Sequence, residues 1–327
     1  MLLCSTASLH VARFARLVLG AVLVLGACDD ARVVAPPTQP TIAPLEGGPN
    51  AASVGTPTDP PPTAAPPALT PRKPPVTEPV PTPVLGPTTL VTRPTPRDGA
   101  TVSAWIVRPP VPPTHAVVLM VGGSGKLGLS EKGVGVGARD NVLVRTHARL
   151  VEAGFVVAIV DAPSDRTDGL EGTRASADHA ADLAVIIALL REQHAVPVWI
   201  VGTSRGSISA ANAAARLGAR GPDGIVLLSP ITAGSHERLS DVRLAAITVP
   251  TLVVSHRADR CKGSPPGGAH TLTRKLGRKA IRRELRFGAR KAPPEADPCD
   301  SRTHHGFVGV EDELTDAIVA FVRTPSG

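Results

Sequence analysis

A Gly-x-Ser-x-Gly pattern between a strand and a helix constrains this 327-residue chain more than any other feature. Residues 198–202 form an apolar, β-branched run of strand length, and an alanine-rich run that favours a helix begins near Arg205. Ser204 therefore lies on the turn that joins them, where Gly202 and Gly206 let strand and helix approach closely. Alone, the five residues would fit an ordinary glycine–serine turn equally well, but this context predicts a nucleophile elbow that exposes the serine hydroxyl.

The region 98–327 alternates apolar runs with helical stretches and is long enough for one α/β domain with a substantial core. Continuous apolar strands separated by helices are typical of a mostly parallel sheet with helices on both faces. Functional groups in such sheets gather at the carboxyl ends of the strands, and Ser204 lies at one of these ends. The predicted strands are 102–107, 116–121, 156–160, 198–202, 225–228, 251–255 and 283–287, and the predicted helices are 141–153, 175–193, 207–217, 269–276 and 311–322.

The first 28 residues are typical of an export signal. Arg13 and Arg16 supply a positive region, and residues 17–25 supply an apolar stretch too short to cross a membrane. The ending Leu-Gly-Ala-Cys resembles a bacterial lipobox, which would imply cleavage before Cys28 and lipid attachment to that cysteine. A plain secretory signal whose cleavage site happens to contain a cysteine is the alternative. We therefore expect an exported protein of the cell envelope that is held at a membrane through Cys28, or else a secreted one.

Residues 29–97 contain 20 of the chain's 35 prolines. Such a segment cannot bury enough apolar area to offset the entropy lost on ordering, which predicts a disordered or polyproline II linker. A proline-rich motif that binds a partner is the rival interpretation. A spacer between a membrane anchor and a folded domain is the simpler one.

The glycine-rich stretch 121–128, Val-Gly-Gly-Ser-Gly-Lys-Leu-Gly, matches a dinucleotide-binding pattern only formally. The residues after it, 129–137, carry three more glycines and do not open a helix, which argues against that interpretation. A phosphate-binding P-loop is also excluded, because Lys126 is followed by Leu127 rather than by Ser or Thr.

The same stretch is better interpreted as a loop that donates a backbone N–H to a developing oxyanion. Gly123 is the preferred donor and Ser124 the alternative, while a purely structural glycine turn stays open. The N–H of Arg205 is the expected second donor, because it lies at the first turn of the helix that follows the elbow, where unpaired N–H groups favour negative charge.

A serine nucleophile needs a base, and the base needs an orienting acid. Asp259 falls just after the predicted strand 251–255, and His305 lies in a loop before the last helix, followed by a glycine that permits a tight turn. His304 is the second choice for the base. The alternatives without a catalytic role are a surface Asp in a turn and a solvated His pair. A metal site is also conceivable but lacks a recognised ligand spacing; it would use His304, His305, Asp297 and Cys299.

The cysteine positions support this layout. Cys4 and Cys28 belong to the export segment, which leaves Cys261 and Cys299 as the pair in the exported domain. An oxidising compartment would favour a disulfide between them, with two free thiols as the alternative. The bond would join the loop that carries Asp259 to the loop that carries His305.

With elbow, glycine loop, acid and histidine in this chain order, residues 98–327 resemble the α/β-hydrolase superfamily. The segments Val-Asp-Ala-Pro-Ser-Asp at 160–165 and His-Gly-Phe at 305–307 are similar to secreted or lipoprotein hydrolases of the dienelactone-hydrolase-like group. Dienelactone hydrolases themselves use a cysteine nucleophile, whereas this elbow carries Ser204, so dienelactone is not the expected substrate.

The resemblance implies a serine hydrolase that cleaves a carboxylic ester or a related acyl bond through an acyl-enzyme, with no metal or organic cofactor. A catalytically inactive, envelope-tethered binding module on the same fold and a serine peptidase are the alternatives.

The formal net charge of +7 is concentrated partly near residues 274–291. This basic face could attract anionic lipids or acidic substrates, but a solvated surface is the simpler interpretation. Nucleic acid is not an expected partner, because only 2% of the residues are aromatic and platforms for base stacking are scarce.

Overall fold

The computed structural model describes residues 85–234, 236–286 and 296–325. The predicted export segment, Cys28 with its lipid, and most of the predicted linker lie outside these residues. The strands are β1 Thr88–Pro94, β2 Thr101–Val107, β3 His115–Met120, β4 Phe155–Val160, β5 Val198–Thr203, β6 Gly224–Leu228, β7 Thr251–His256 and β8 Ala280–Leu285. The helices are α1 Val142–Glu152, α2 Ala177–His194, α3 Gly206–Arg216, α4 Pro266–Leu276 and α5 Glu311–Arg323.

The described strands form one eight-stranded sheet in the order β1-β2-β4-β3-β5-β6-β7-β8. The β1–β2 and β2–β4 pairs are antiparallel, and every other neighbouring pair is parallel. This confirms the predicted mostly parallel sheet. The central strands β3 to β7 are almost entirely buried, which explains why they are visible in the sequence as continuous apolar runs.

Two apolar layers cover the two faces of the sheet. Helices α2, α3 and α4 pack on one face, and helices α1 and α5 pack on the other. Helix α3 approaches the sheet closely because nearly all of its buried residues are small, and half of them are alanines. The predicted covering of both faces is therefore confirmed, and all five predicted helices are present within a few residues of their expected bounds.

Both edges of the sheet differ from the expectation. Strand β1 falls inside the range 29–97 that was predicted as a linker, so that boundary is wrong at its C-terminal end. Its β-branched residues pair along their full length with β2, from Thr88 opposite Val107 to Pro94 opposite Thr101. Strand β8 begins at Ala280, three residues before the predicted start, because its register follows β7 rather than its own mixed apolar and charged pattern.

The parallel register brings the carboxyl ends of the central strands together. Met120 pairs with Gly202, and Thr203 pairs with Leu228. The loops after β3, β5, β6 and β7 therefore meet at one edge of the sheet. Within the described part of the chain, no helix is both long and apolar enough to cross a membrane.

Candidate active site

Ser204 occupies the sharp turn between β5 and α3. Its backbone has φ of +53°, a left-handed conformation that is costly for a residue with a side chain. Two hydrogen bonds hold Ser204 in this strained conformation. Its N–H donates to the Leu228 carbonyl at 2.8 Å, and its carbonyl accepts from the Ser207 hydroxyl at 2.6 Å. The predicted elbow thus has the geometry that its motif requires.

The two glycines of the elbow leave no room for a side chain. A Cβ at Gly206 would lie 2.0 Å from the carbonyl oxygen of Met120, and one at Gly202 would lie 2.2 Å from the carbonyl oxygen of Gly206. Both neighbours are backbone atoms that cannot move aside. Strand β3, strand β5 and helix α3 therefore pack closely only because these positions lack side chains.

Asp259 and His305 form a buried hydrogen-bonded pair. Asp259 follows β7, and its Oδ2 lies 3.0 Å from Nδ1 of His305. The His305 side chain is 4% exposed and the Asp259 carboxylate is fully buried. The second carboxylate oxygen, Oδ1, accepts the N–H of Cys261 at 2.8 Å. The carboxylate is thus held in one orientation toward the imidazole.

A short 3-10 turn, His304–Gly306, presents His305 to the site. The backbone N–H of His305 donates to the Thr303 hydroxyl at 3.2 Å, and its carbonyl accepts from the Ser229 hydroxyl at 2.8 Å. His304 instead stacks on His256, with ring centroids 4.6 Å apart. His305, rather than His304, is therefore the histidine that contacts Asp259.

The remaining ring nitrogen of His305, Nε2, is buried and has no hydrogen-bond partner among the described residues. His305 and Ser204 line the same pocket, which has a volume of about 370 Å³. Because Nδ1 is engaged by Asp259, Nε2 is the nitrogen available to accept a proton. The pair can therefore serve as an oriented general base.

The glycine loop after β3 also lines this pocket. A Cβ at Gly122 would lie 2.8 Å from Cβ of Ser204 and 3.3 Å from its hydroxyl oxygen, so the loop backbone approaches the serine directly. Gly123 and Ser124 line the pocket beside it. Both predicted donors therefore lie near Ser204: Gly123 lines the same pocket, and Arg205 is the next residue in the chain. Their role as oxyanion donors stays a prediction.

A buried arginine, Arg174, donates hydrogen bonds to the backbone of this loop. Nη2 of Arg174 donates to the carbonyls of Val121 and Gly123 at 3.1 and 3.2 Å, and Nη1 donates to the Ser209 hydroxyl at 2.9 Å. Burial lowers the pKa of Arg174 to about 10, and burial beside this cation lowers the pKa of His179 to about 3. At neutral pH Arg174 is charged and His179 is neutral, so the positive charge that stabilises the loop is that of Arg174.

A second arginine holds the histidine turn. From α1, Arg145 donates to the carbonyl of Gly306 at 2.5 Å and to that of Ser301 at 3.3 Å. Its guanidinium also pairs with Glu311 of α5 at 3.0 Å. Helix α1 is thereby connected to the loop that carries His305.

Ser229 and Ser264 both contact the acid–base pair, although neither is identifiable as a site residue from the sequence. Ser264 lies five residues after Asp259, and its hydroxyl is 2.8 Å from Asp259 Oδ2 and 2.9 Å from His305 Nδ1. No motif spacing marks either serine. Only the proximity of loops that are distant in the chain reveals them.

The expected disulfide between Cys261 and Cys299 is confirmed. It joins the loop after Asp259 to the loop before His305, and Cys299 also lines the pocket. Cys299 is therefore committed to a disulfide rather than to the metal site considered above. Within the described ranges, no group of three or more His, Cys, Asp or Glu side chains is arranged to hold a metal ion.

The fold and site can be compared with known proteins. No protein-family model matches this chain, and neither does any curated protein sequence. Solved structures do match. One is a highly thermostable carboxyl esterase from Bacillus coagulans, at 14% identity and a TM-score of 0.50 over 73% of this chain and 98% of that one. Another is an α/β serine hydrolase homologue from Coxiella burnetii, at 15% identity and a TM-score of 0.50 over 71% and 96%.

A third match is one of two fungal esterases from Rhizomucor miehei, at 16% identity and a TM-score of 0.51 over 74% of this chain and 84% of that one. At such low identities these likenesses concern the fold alone. The narrower resemblance to the dienelactone-hydrolase-like group stays a prediction.

Proposed function

We propose, from the α/β-hydrolase fold that this chain shares with these structures, that it is a serine hydrolase that cleaves a carboxylic ester through an acyl-enzyme. One observation carries the proposal: the buried Asp259–His305 pair leaves Nε2 of His305 without a partner among the described residues, and His305 and Ser204 line the same pocket. A buried carboxylate bonded to one imidazole nitrogen is the arrangement that makes the other nitrogen a general base.

The reaction would follow two acyl-transfer steps. Ser204 Oγ attacks the ester carbonyl carbon while Nε2 of His305 takes its proton, and the N–H groups of Gly123 and Arg205 stabilise the oxyanion. Collapse of this intermediate breaks the bond to the alcohol, which leaves with the proton from His305. Water then attacks the acyl-enzyme, gives a proton to His305, and releases the carboxylic acid as Ser204 regains its proton.

The pocket favours a short acyl group. Among the described residues, its lining consists mainly of glycine backbone and small polar side chains and includes no Phe, Trp or Met. Four of the described lining residues have aliphatic side chains: Val121, Leu127, Ala138 and Val142. A long acyl chain would gain little apolar contact in such a pocket, so an acetyl or similarly small acyl group fits best.

The test uses the full-length chain with its disulfide intact, a fluorophosphonate probe, and the p-nitrophenyl esters of acetate and octanoate. We expect labelling of the wild type and faster turnover of the acetate. Ser204→Ala and His305→Ala should lower kcat by roughly 10⁴-fold or more. The exposed Ser240 and the neighbouring His304 provide matched controls, since Ser240→Ala and His304→Ala should retain labelling and turnover. A folded wild-type protein that is neither labelled nor active would contradict the proposal and favour a binding module.

The place of action is a separate part of the proposal. The export segment and its lipobox-like ending support an envelope protein that is anchored through a lipid on Cys28. In a bacterial host, the wild-type chain should incorporate labelled palmitate and sediment with membranes. The Cys28→Ala variant should do neither. Equal behaviour of the two chains would exclude the anchor.

A further inference from the structure

The hydroxyl of Ser264 contacts both members of the acid–base pair. Its Oγ lies 2.8 Å from Asp259 Oδ2 and 2.9 Å from His305 Nδ1, while those two atoms are themselves 3.0 Å apart. Ser264 is only 2% exposed. The three polar atoms therefore form a closed, buried triangle.

Counting protons assigns a direction to each contact. A carboxylate only accepts hydrogen bonds, so the single hydroxyl proton of Ser264 satisfies Asp259 when it donates to Oδ2. The Ser264 oxygen then keeps a lone pair toward Nδ1, whose proton is shared between Oδ2 and Oγ. If Ser264 instead donated to Nδ1, two pairs of acceptors would face each other at 2.8 and 3.0 Å, which is unfavourable in a buried site.

The local chain holds Ser264 rigidly in this position. Its backbone N–H donates to the carbonyl of Cys261 at 3.1 Å, and Cys261 is tied to Cys299 by the disulfide. Two prolines follow Ser264 and begin helix α4, which restricts the backbone further. The hydroxyl is thus set by the same short loop that sets Asp259.

We propose that Ser264 is a positioning residue of the proposed hydrolase: by bonding both partners, it holds the His305 imidazole in the tautomer that carries its proton on Nδ1. The inference rests on the proposed function. It adds a fourth polar side chain to the serine, histidine and aspartate, one that touches neither substrate nor nucleophile and acts only through His305. Without its hydroxyl, the imidazole keeps a single partner and rotates more freely.

The test compares Ser264→Ala with Ser264→Thr, which keeps the hydroxyl, in the full-length chain. Ser255→Ala is the matched control, because Ser255 is equally buried on β7 and its hydroxyl has no hydrogen-bond partner among the described residues. On p-nitrophenyl acetate we expect Ser264→Ala to lower kcat about tenfold with KM unchanged, a loss comparable to one hydrogen bond to a charged group. Ser264→Thr and Ser255→Ala should stay near the wild-type kcat.

A second readout does not depend on turnover. Long-range ¹H–¹⁵N NMR spectra report the tautomer of His305, which should carry its proton on Nδ1 in the wild type and become mixed in Ser264→Ala. An inert wild type would count against the proposed function, while the tautomer would still test the role of Ser264. The inference is overturned if Ser264→Ala keeps the wild-type kcat and tautomer. It is equally overturned if the Ala and Thr variants lose the same activity, since packing would then be the cause.

Discussion

Gly122 shows how a single absent side chain can control access to a nucleophile. Gly122 lies directly beside Ser204, and an added Cβ would lie 2.8 Å from Cβ of Ser204 and 3.1 Å from the carbonyl oxygen of Thr203. Neither atom is the flexible end of a long side chain. The loop must therefore move, or the serine must leave its conformation, before any side chain fits at this position.

We predict that Gly122→Ala lowers the rate of fluorophosphonate labelling about 100-fold, while the folded state is retained. The physical reason is displacement of the loop or of Ser204 by roughly an ångström, which disrupts the alignment of attacking atom and oxyanion donors. Gly137→Ala is the matched control, because Gly137 lines the same pocket, yet its Cβ would meet nothing within 4 Å. Labelling of Gly122→Ala at the wild-type rate would show that the loop does not act on the serine.

At the scale of residues, the sequence reveals what is encoded locally. Ser204 is identifiable because its motif, strand and helix are contiguous. Asp259 and His305 follow from their order along the chain. Ser264 is not identifiable in this way, because its contacts with His305 span 41 positions and depend on how two loops meet.

Helix α1 contacts the His305 turn through one side chain, that of Arg145. Asn141, which precedes α1, lines the pocket, and Arg145 reaches from the first turns of α1 to the carbonyls of Gly306 and Ser301. A planar guanidinium can serve these acceptors and Glu311 together, whereas an ammonium group on a flexible stem cannot. The position of the His305 turn thus depends on the shape of the group as well as on its charge.

We predict that Arg145→Lys lowers kcat about tenfold and the free energy of unfolding by about 2 kcal/mol, because backbone carbonyls at the His305 turn lose their donors. Arg149→Lys is the control on the same helix, since Arg149 makes an exposed ion pair with Asp312. Its effect should stay below about 0.5 kcal/mol. Urea unfolding and p-nitrophenyl acetate turnover measure both quantities, and equal losses in the two variants would refute the special role of Arg145.

At the scale of elements, burial decides which strands the sequence reveals. Strands β3 to β7 are buried on both faces and therefore form continuous apolar runs. The edge strands have a neighbour on one side only and tolerate polar residues. The sequence pattern therefore does not distinguish β1 from the proline-rich segment before it, and it predicts the start of β8 three residues too late. Pairing with a neighbour, rather than local composition, determines where both edges lie.

The limits of the folded unit depend on a contact that no local pattern encodes. Arg97 lies within the range predicted as linker, yet its guanidinium bonds both carboxylate oxygens of Asp182 on α2, at 3.3 and 2.8 Å. Asp182 is 2% exposed. Burial raises the pKa of Asp182, and its bond to Arg97 opposes that rise. The segment before residue 98 therefore belongs to the fold in two ways, through β1 and through this partly buried ion pair.

We predict a stepwise loss of stability when the chain is shortened from its N-terminal side. A chain that begins at residue 85 should unfold in urea like the full-length chain, because it keeps all described elements. One that begins at residue 95 loses β1 and exposes the edge of β2, with an expected loss of roughly 2 kcal/mol from the buried Val91 and the β1–β2 hydrogen bonds. One that begins at residue 98 also loses Arg97 and leaves the Asp182 carboxylate buried without its partner, which should cost roughly a further 3 kcal/mol.

Because β2, β4 and β3 separate β1 from Ser204, kcat at low temperature should stay near wild type wherever the shortened chain remains folded. Indistinguishable unfolding curves for the chains that begin at 95 and 98 would show that Arg97 does not stabilise the fold through Asp182.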